Sequence, residues 1–286
     1  MCEQAGLPGR NLELLRFGSN AVFGVDTSHV LRVMRPGTSE LDVHREIDLA
    51  GEFSRLEIPT VLLSDVAQPL KALDCFGTVW ERLAEPHQDN LYDVYRALGR
   101  LMRLFHQRTA GLQVPLEPWR QLALSDQRLI QCKQHYAPED VRMLTQWSER
   151  IASELHPVQP VLPAGVIHGQ AEVGNVLFRA GQPVLIDFEQ VSIGPREWDL
   201  VHTSVAVARF GRPERCYRNF AEAYGFDVRT WNGYETHRRL WEMCATTWLM
   251  QHDHRSRRVR QEIELRLRTW RDDDPETRWS GVLERQ

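Results

Sequence analysis

The stretch VIHGQAEVGNVLFRAGQPVLIDFE, from Val166 to Glu189, decides how the rest of the chain is read. Val166 and Ile167 open a short apolar strand, and HGQAEVG follows as a polar loop. NVLFR and PVLIDF then form two apolar strands around Gly181, a residue that suits a tight hairpin turn. The reversal brings Asn175 and Asp187, at the two ends of the hairpin, to one edge. An amide oxygen and a carboxylate there are hard ligands that suit Mg²⁺, which keeps some water and takes its other ligands from phosphates. Taken alone, an acid at the end of an apolar strand also reads as a turn or cap residue.

Working outward, the 286 residues are 42% hydrophobic and 26% charged, with a formal net charge of -4. This composition excludes the disordered classes and is enough for two lobes with their own cores. MCEQAGLPGR has no apolar run behind a basic start, and no later segment approaches the ~20 apolar residues of a membrane span, so a cytoplasmic protein is expected. Five scattered cysteines form no CxxC pair and suggest neither a disulfide framework nor a zinc site. Lys71 and Lys133 are the only lysines, so almost every basic side chain is arginine.

From Leu12 to Leu83, LELLRFG, AVFGV, HVLRVM, TVLLS and FGTVWERL read as five strands of a mainly antiparallel sheet. TSELDVHREIDLAGEFSRL reads as one inserted helix, capped by Thr38 or Ser39, with Leu41, Ile47, Leu49 and Phe53 as its apolar positions. After Ala84-Glu85-Pro86-His87 the helical period takes over, from NLYDVYRALGRLMRLFHQ to the run ending at Trp270, interrupted by the hairpin. The pattern implies a lobe at 1–83, a hinge at 84–89 and a helical lobe at 90–286.

HG, five residues, Asn and eleven more before DFE closely resembles the signature of one branch of the protein-kinase-like superfamily, the aminoglycoside phosphotransferases and choline kinase-like proteins. There HGDxxxxN precedes a strand ending in IDF or IDW. The resemblance covers roughly residues 12 to 210. IGPREWDL supplies Gly194, Pro195 and Asp199 of a GPxxxDL segment whose acid lies beneath the catalytic loop. ALGRLMRLFHQ resembles a family helix with His106 last, and FGSNAVFGV the turn over nucleotide phosphates, with Gly18, Ser19 and Asn20.

The resemblance implies an α+β, bilobal protein-kinase-like fold, with Mg²⁺ and ATP or GTP as cofactors. Arg32 would reach the phosphates where the family usually has Lys, paired with Glu46, and a guanidinium can grip phosphate bidentately. Without the other motifs, Arg32 and Glu46 read as a solvated ion pair. Asn175 and Asp187 would hold the metal, and the backbone around Trp80, Glu81 and Leu83 would meet the purine edge.

The catalytic loop would be His168, Gln170 and, two residues on, Glu172. The family has aspartate where this chain has Gln170, and glutamine accepts a hydrogen bond but takes no proton near neutral pH. Two readings stay open: a small-molecule kinase with an altered base, in which Glu172 supplies a carboxylate, or a nucleotide-binding pseudokinase that acts by binding. Trp231, Tyr234, Trp241 and Trp248, with Glu235 and Glu242, suit a cationic or sugar-like acceptor alcohol, though each tryptophan alone reads as core. QHDHRSRRVRQEIELRLRTWR mixes acids into its arginines and reads as a solvated helix face, so no nucleic acid is expected. RDDDPE reads as an exposed terminator or an attractor of cations.

Overall fold

The computed structural model describes residues 1–85 and 91–281. The chain forms two compact units, one of Met1–Leu116 with Glu172–Val191, the other of Glu117–Ala171 with Ser192–Gln286. This division differs from the one at residue 90, because the first helix of the helical region and the hairpin both pack within the first unit. Of the hinge read at 84–89, residues 86–89 lie outside the described residues.

In the first unit β1 (Glu13–Phe17), β2 (Ala21–Gly24), β3 (His29–Val33), β4 (Leu70–Ala72) and β5 (Cys75–Glu81) form an antiparallel sheet in the order β1-β2-β3-β5-β4. α1 (Glu40–Arg55) starts where the Ser39 hydroxyl accepts the Asp42 N–H at 3.1 Å. It buries Val43, Leu49 and Phe53, whereas Leu41 in its first turn is exposed.

The fourth strand is not TVLLS. That run shares its backbone bonds between two neighbours: Val61 N–H donates to Leu185 and Ser64 N–H to Val79. It therefore makes isolated bridges, Thr60 with Leu185 and Leu63 with Trp80, in place of a ladder. The true β4 is LKA, paired with β5 across a turn in which Leu73 takes a φ of 53°.

α2 (Leu91–Arg108) follows, burying Val94, Leu98, Leu101, Met102, Phe105 and His106 on one stripe. Beyond β6 (Gly165–Ile167), which belongs to the second unit, the chain returns to the first as the hairpin β7 (Val176–Arg179) and β8 (Gln182–Leu185). Its two-residue turn takes positive φ at both Ala180 (46°) and Gly181 (79°). Phe178 and Ala84 exchange backbone bonds of 2.9 and 3.3 Å, which ties β7 to the chain leaving β5. Phe53 meets Phe105 and Phe188 edge-on, with centroids 5.3 and 5.0 Å apart, and Trp80 meets Phe188 at 6.1 Å. This aromatic wedge fixes the residue that follows Asp187.

The second unit holds α3 (Gln121–Cys132), α4 (Pro138–Leu155), α5 (Glu197–Phe210), α6 (Glu214–Tyr224), α7 (Tyr234–Met250) and α8 (Arg257–Arg271). It also contains an element absent from the sequence reading: β6 pairs antiparallel with β9 (Ser192–Gly194), Gly165 opposite Gly194. A Cβ at Gly194 would lie 2.6 Å from that of Trp119, so the glycine of the GP segment lets Trp119 approach the backbone. No helix among the described residues is long and apolar enough to cross a membrane.

Candidate active site

Within the first unit, β3 presents Arg32 to three acids. Its Nη1 donates to Glu46 of α1, and its Nη2 donates to Glu189 and, at 3.3 Å, to Asp187. Burial works against the charge on Arg32, but the three carboxylates outweigh it and hold the guanidinium protonated. Burial likewise pushes the Glu46 carboxyl up to about 7; Arg32 opposes the rise, and Asp187 and Glu189 add to it. The pair read as Arg32 and Glu46 is thus a partly buried cluster of four.

Asp187 takes a φ of 71°, a conformation that side-chain-bearing residues adopt only when their surroundings hold them there. The packed ring of Phe188 on one side and β8 on the other supply that restraint. Asn175 is buried at the end of a helical turn, Val173–Asn175, and its carbonyl accepts the Ile186 N–H at 3.1 Å. This sets it beside the residue preceding Asp187, as the hairpin pattern requires. Glu172 is exposed, its carboxylate lying over Gly174.

The β1–β2 turn is shaped by Gly18, whose N–H donates to the Asn20 carbonyl at 3.0 Å, and Ser19 is half-buried beside it. The Asn20 side chain accepts the Arg35 N–H at 3.0 Å and donates to Glu189. Gly24 does a different job: a Cβ there would meet Arg82 Nη1 at 2.6 Å. At the predicted purine edge the Trp80 ring is buried, with Nε1 donating to Thr78 at 2.7 Å, and Glu81 accepts the Leu62 N–H at 2.7 Å and pairs with Arg179. The N–H groups of Glu81, Arg82 and Ala84 are engaged, while no described residue bonds the backbone of Leu83. Leu83 is therefore the free hydrogen-bonding position of that segment among the described residues.

An Asp–Asn oxygen pair beside the Arg32 guanidinium is a donor set that fits Mg²⁺. No group of three or more His, Cys, Asp or Glu among the described residues is arranged to hold a metal. A cation at Asn175 and Asp187 would take its remaining ligands from phosphates and water.

In the second unit the loop after β6 is held from α5. Both oxygens of the fully buried Asp199 accept backbone N–H groups, those of His168 and Gly169, each at 2.7 Å. Asp199 stands in the first turn of α5, where the helix dipole favours a carboxylate. Trp198 Nε1 donates to the Gly169 carbonyl at 3.1 Å, and Gly169 takes a φ of 84°, which accommodates the sharp bend. The loop thus presents Gln170, half-buried, with its N–H directed at His168 Nδ1 3.4 Å away, while His168 is buried.

The acceptor candidates divide. Glu242 is buried between Arg209 and Arg238, and Trp231 is buried with Nε1 on the Gln159 carbonyl, so both are structural. Glu235 pairs with Arg238, and Tyr234 hydroxyl accepts from Ser204 at 3.0 Å. Trp241 meets His202 at 5.5 Å, and Trp248 meets His252 at 4.8 Å. In RDDDPE, Asp273 pairs with Arg239 and Asp274 accepts the Glu276 N–H at 2.8 Å, so these acids terminate α8. The Arg-rich run itself buries a Glu262–Arg266 pair and exposes Arg257, Arg258, Arg260 and Arg268.

His202 and His237 sit among Trp198, Trp241, Trp119 and Trp231, and burial lowers each from 6.5 to about 4. Below pH 6.5 the unfolded chain takes up protons that the folded chain refuses until about pH 4. Stability contributed by the neutral rings is therefore full above pH 6.5 and lost as the pH falls toward 4. Each ring should cost on the order of 2 kcal/mol by pH 5. Urea midpoints at pH 7.5 and 5.0 test this: His237→Leu should show the shallower dependence, and an unchanged slope would refute the assignment.

A β3 basic residue paired to a helix glutamate, an acid after a hairpin and a loop pinned by a buried aspartate together define a protein-kinase-like phosphotransferase. The chain belongs to the phosphotransferase enzyme family, whose model matches residues 14–240. No curated protein matches it. Among solved structures, amicoumacin kinase hAmiN in complex with AMP-PNP, Ca²⁺ and Ami is similar at a TM-score of 0.73 and 17% identity, over 97% of this chain and 94% of that one. The microcompartment-associated aminopropanol kinase matches at 0.67 and 16%, over 96% of both chains. A choline/ethanolamine kinase family protein from Mesorhizobium loti matches at 0.63 and 17%, over 95% and 92%.

Proposed function

We propose that the chain transfers the γ-phosphate of ATP or GTP to a hydroxyl of a small, amine-bearing molecule, with glutamine in place of the usual base. The observation that carries this reading is the placement of Arg32 between Glu46 and Asp187. In this role Arg32 would grip phosphate oxygens with Glu46 orienting it, and Asn175 and Asp187 would hold Mg²⁺, which would supply neutralising charge at the phosphates. Leu83 offers backbone groups to the purine. The names of the amicoumacin, aminopropanol and choline/ethanolamine kinases support an amino-alcohol or aminoglycoside-like acceptor. The AMP-PNP and Ca²⁺ held by the first support a nucleoside triphosphate and a divalent cation.

Gln170 accepts the hydrogen bond of the acceptor hydroxyl through its amide oxygen and so orients it for in-line attack. It does not remove the proton, which leaves with the transferred phosphoryl group or to solvent. Positioning and charge neutralisation supply most of the catalysis of phosphoryl transfer, so the nucleotide-holding residues remain useful without a base.

Melting temperatures with ATP and GTP, with and without Mg²⁺, test the reading. At about 100 times its dissociation constant a nucleotide adds roughly 2.7 kcal/mol, a shift of several degrees. The expected result is a Mg²⁺-dependent shift that Asp187→Ala removes. No shift with either nucleotide, in the wild type and in a variant lacking the Glu189 carboxylate, would defeat the proposal.

A further inference from the structure

Glu189 has no part in the proposed transfer, yet it receives two donors suited to a phosphate. Its Oε1 accepts both from Asn20 Nδ2, in the β1–β2 turn, and from Arg32 Nη2, on β3. Asn20 is itself set in place by the Arg35 N–H, and Arg32 by Glu46, so the two donors converge on one oxygen from the β1–β2 turn and from β3, each with its own anchor. An anionic oxygen receiving a guanidinium and an amide N–H is chemically what a nucleotide phosphate oxygen would be. Glu189 is also a third carboxylate around a single guanidinium. Glu46 and Asp187 already give Arg32 two carboxylate partners. The added negative charge works against bringing a polyphosphate to Arg32.

We propose that Glu189 is an intramolecular stand-in for phosphate, a latch that holds Arg32 and Asn20 in the nucleotide-free chain and must release both when a nucleoside triphosphate binds. The latch rests on the proposed nucleotide role of Arg32 and deepens it. It raises the nucleotide concentration at which the site fills, and it does so most when no divalent cation neutralises the phosphates. In the released state the Glu189 side chain is free to turn away, because its own anchors on the sheet are the two donors it gives up. A residue that merely supported the fold would not have this signature: its loss would weaken nucleotide binding or leave it alone, whereas loss of a competitor strengthens it.

The test is titration of the full chain with the non-hydrolysable ATP and GTP analogues AMP-PNP and GMP-PNP, in Mg²⁺ and in EDTA. It is run on the wild type, Glu189→Gln and Glu189→Ala, with Arg32→Ala as a control. Both Glu189 variants should bind the preferred analogue about ten-fold or more tighter than wild type in EDTA, with a smaller gain in Mg²⁺. Binding by a Glu189 variant where the wild type shows none would also support the latch. Equal or weaker binding by Glu189→Gln and Glu189→Ala, with the wild type binding, overturns the latch and leaves the kinase reading standing. If neither the wild type nor any Glu189 variant binds either analogue while all keep wild-type circular dichroism, the nucleotide reading fails and the latch with it.

Discussion

Replacing Gln170 with aspartate should raise phosphotransfer about 10²- to 10⁴-fold, the contribution a positioned general base makes. The loop is already formed to receive it. Asp199 and Trp198 hold the backbone of His168 and Gly169, so the substitution changes the side chain and leaves its mounting intact. Position 170 is half-buried, and a carboxylate there keeps contact with water and avoids a large desolvation cost. The side chain shortens by one methylene, which trims part of the gain. The measurement is kcat/KM for Gln170→Asp against wild type, with saturating Mg²⁺ and nucleotide, over a panel of amino alcohols and aminoglycosides. A gain on any of them establishes that the altered base limits the rate. No gain on any acceptor that the wild type binds would sink the altered-base kinase and favour a protein that holds nucleotide and acts by binding.

Asp199→Ala is the change expected to damage the fold most, by about 3–5 kcal/mol. Two buried N–H groups would lose a charged acceptor at once, and the side chain's volume would be left empty beneath the loop. Asp199→Asn keeps the volume but sets an NH₂ group against one of the two donors, so it should cost more than half as much. Urea unfolding of the three proteins decides the matter. Midpoints of both variants close to wild type would show that the loop is held by something else. A loss of phosphotransfer in Asp199→Asn beyond its loss of stability would show that the loop's backbone course, and not merely its presence, matters to the reaction.

Much of this site was legible because its signals are local. Ser39 caps α1 by a contact three residues away, and Gly181 turns the hairpin by its own backbone freedom. Asn175 and Asp187 are brought together by one reversal of the chain, and the GPREWDL segment places Asp199 under the loop in the first turn of the helix it begins. Glu189 stood in the same quoted stretch, an acid two residues past Asp187. Its contacts are not legible there, because both of its partners, Asn20 and Arg32, are more than 150 residues away in sequence.

What the sequence by itself determined is therefore the order of motifs, the family they belong to and the residue types set at the proposed site. All of these follow from spacing and side-chain type within a few turns of chain. Only the tertiary structure decided which apolar run became a strand: TVLLS divides its backbone bonds between β5 and β8, and so the weaker LKA becomes the fourth strand in chain order, at the edge of the sheet. It alone paired β6 with β9, and it withdrew Glu242 from any acceptor role by burying it between two arginines. The physical reason is common to all three. A hydrogen bond or a charge is satisfied once, and which of several competent partners satisfies it depends on distances that local sequence does not contain.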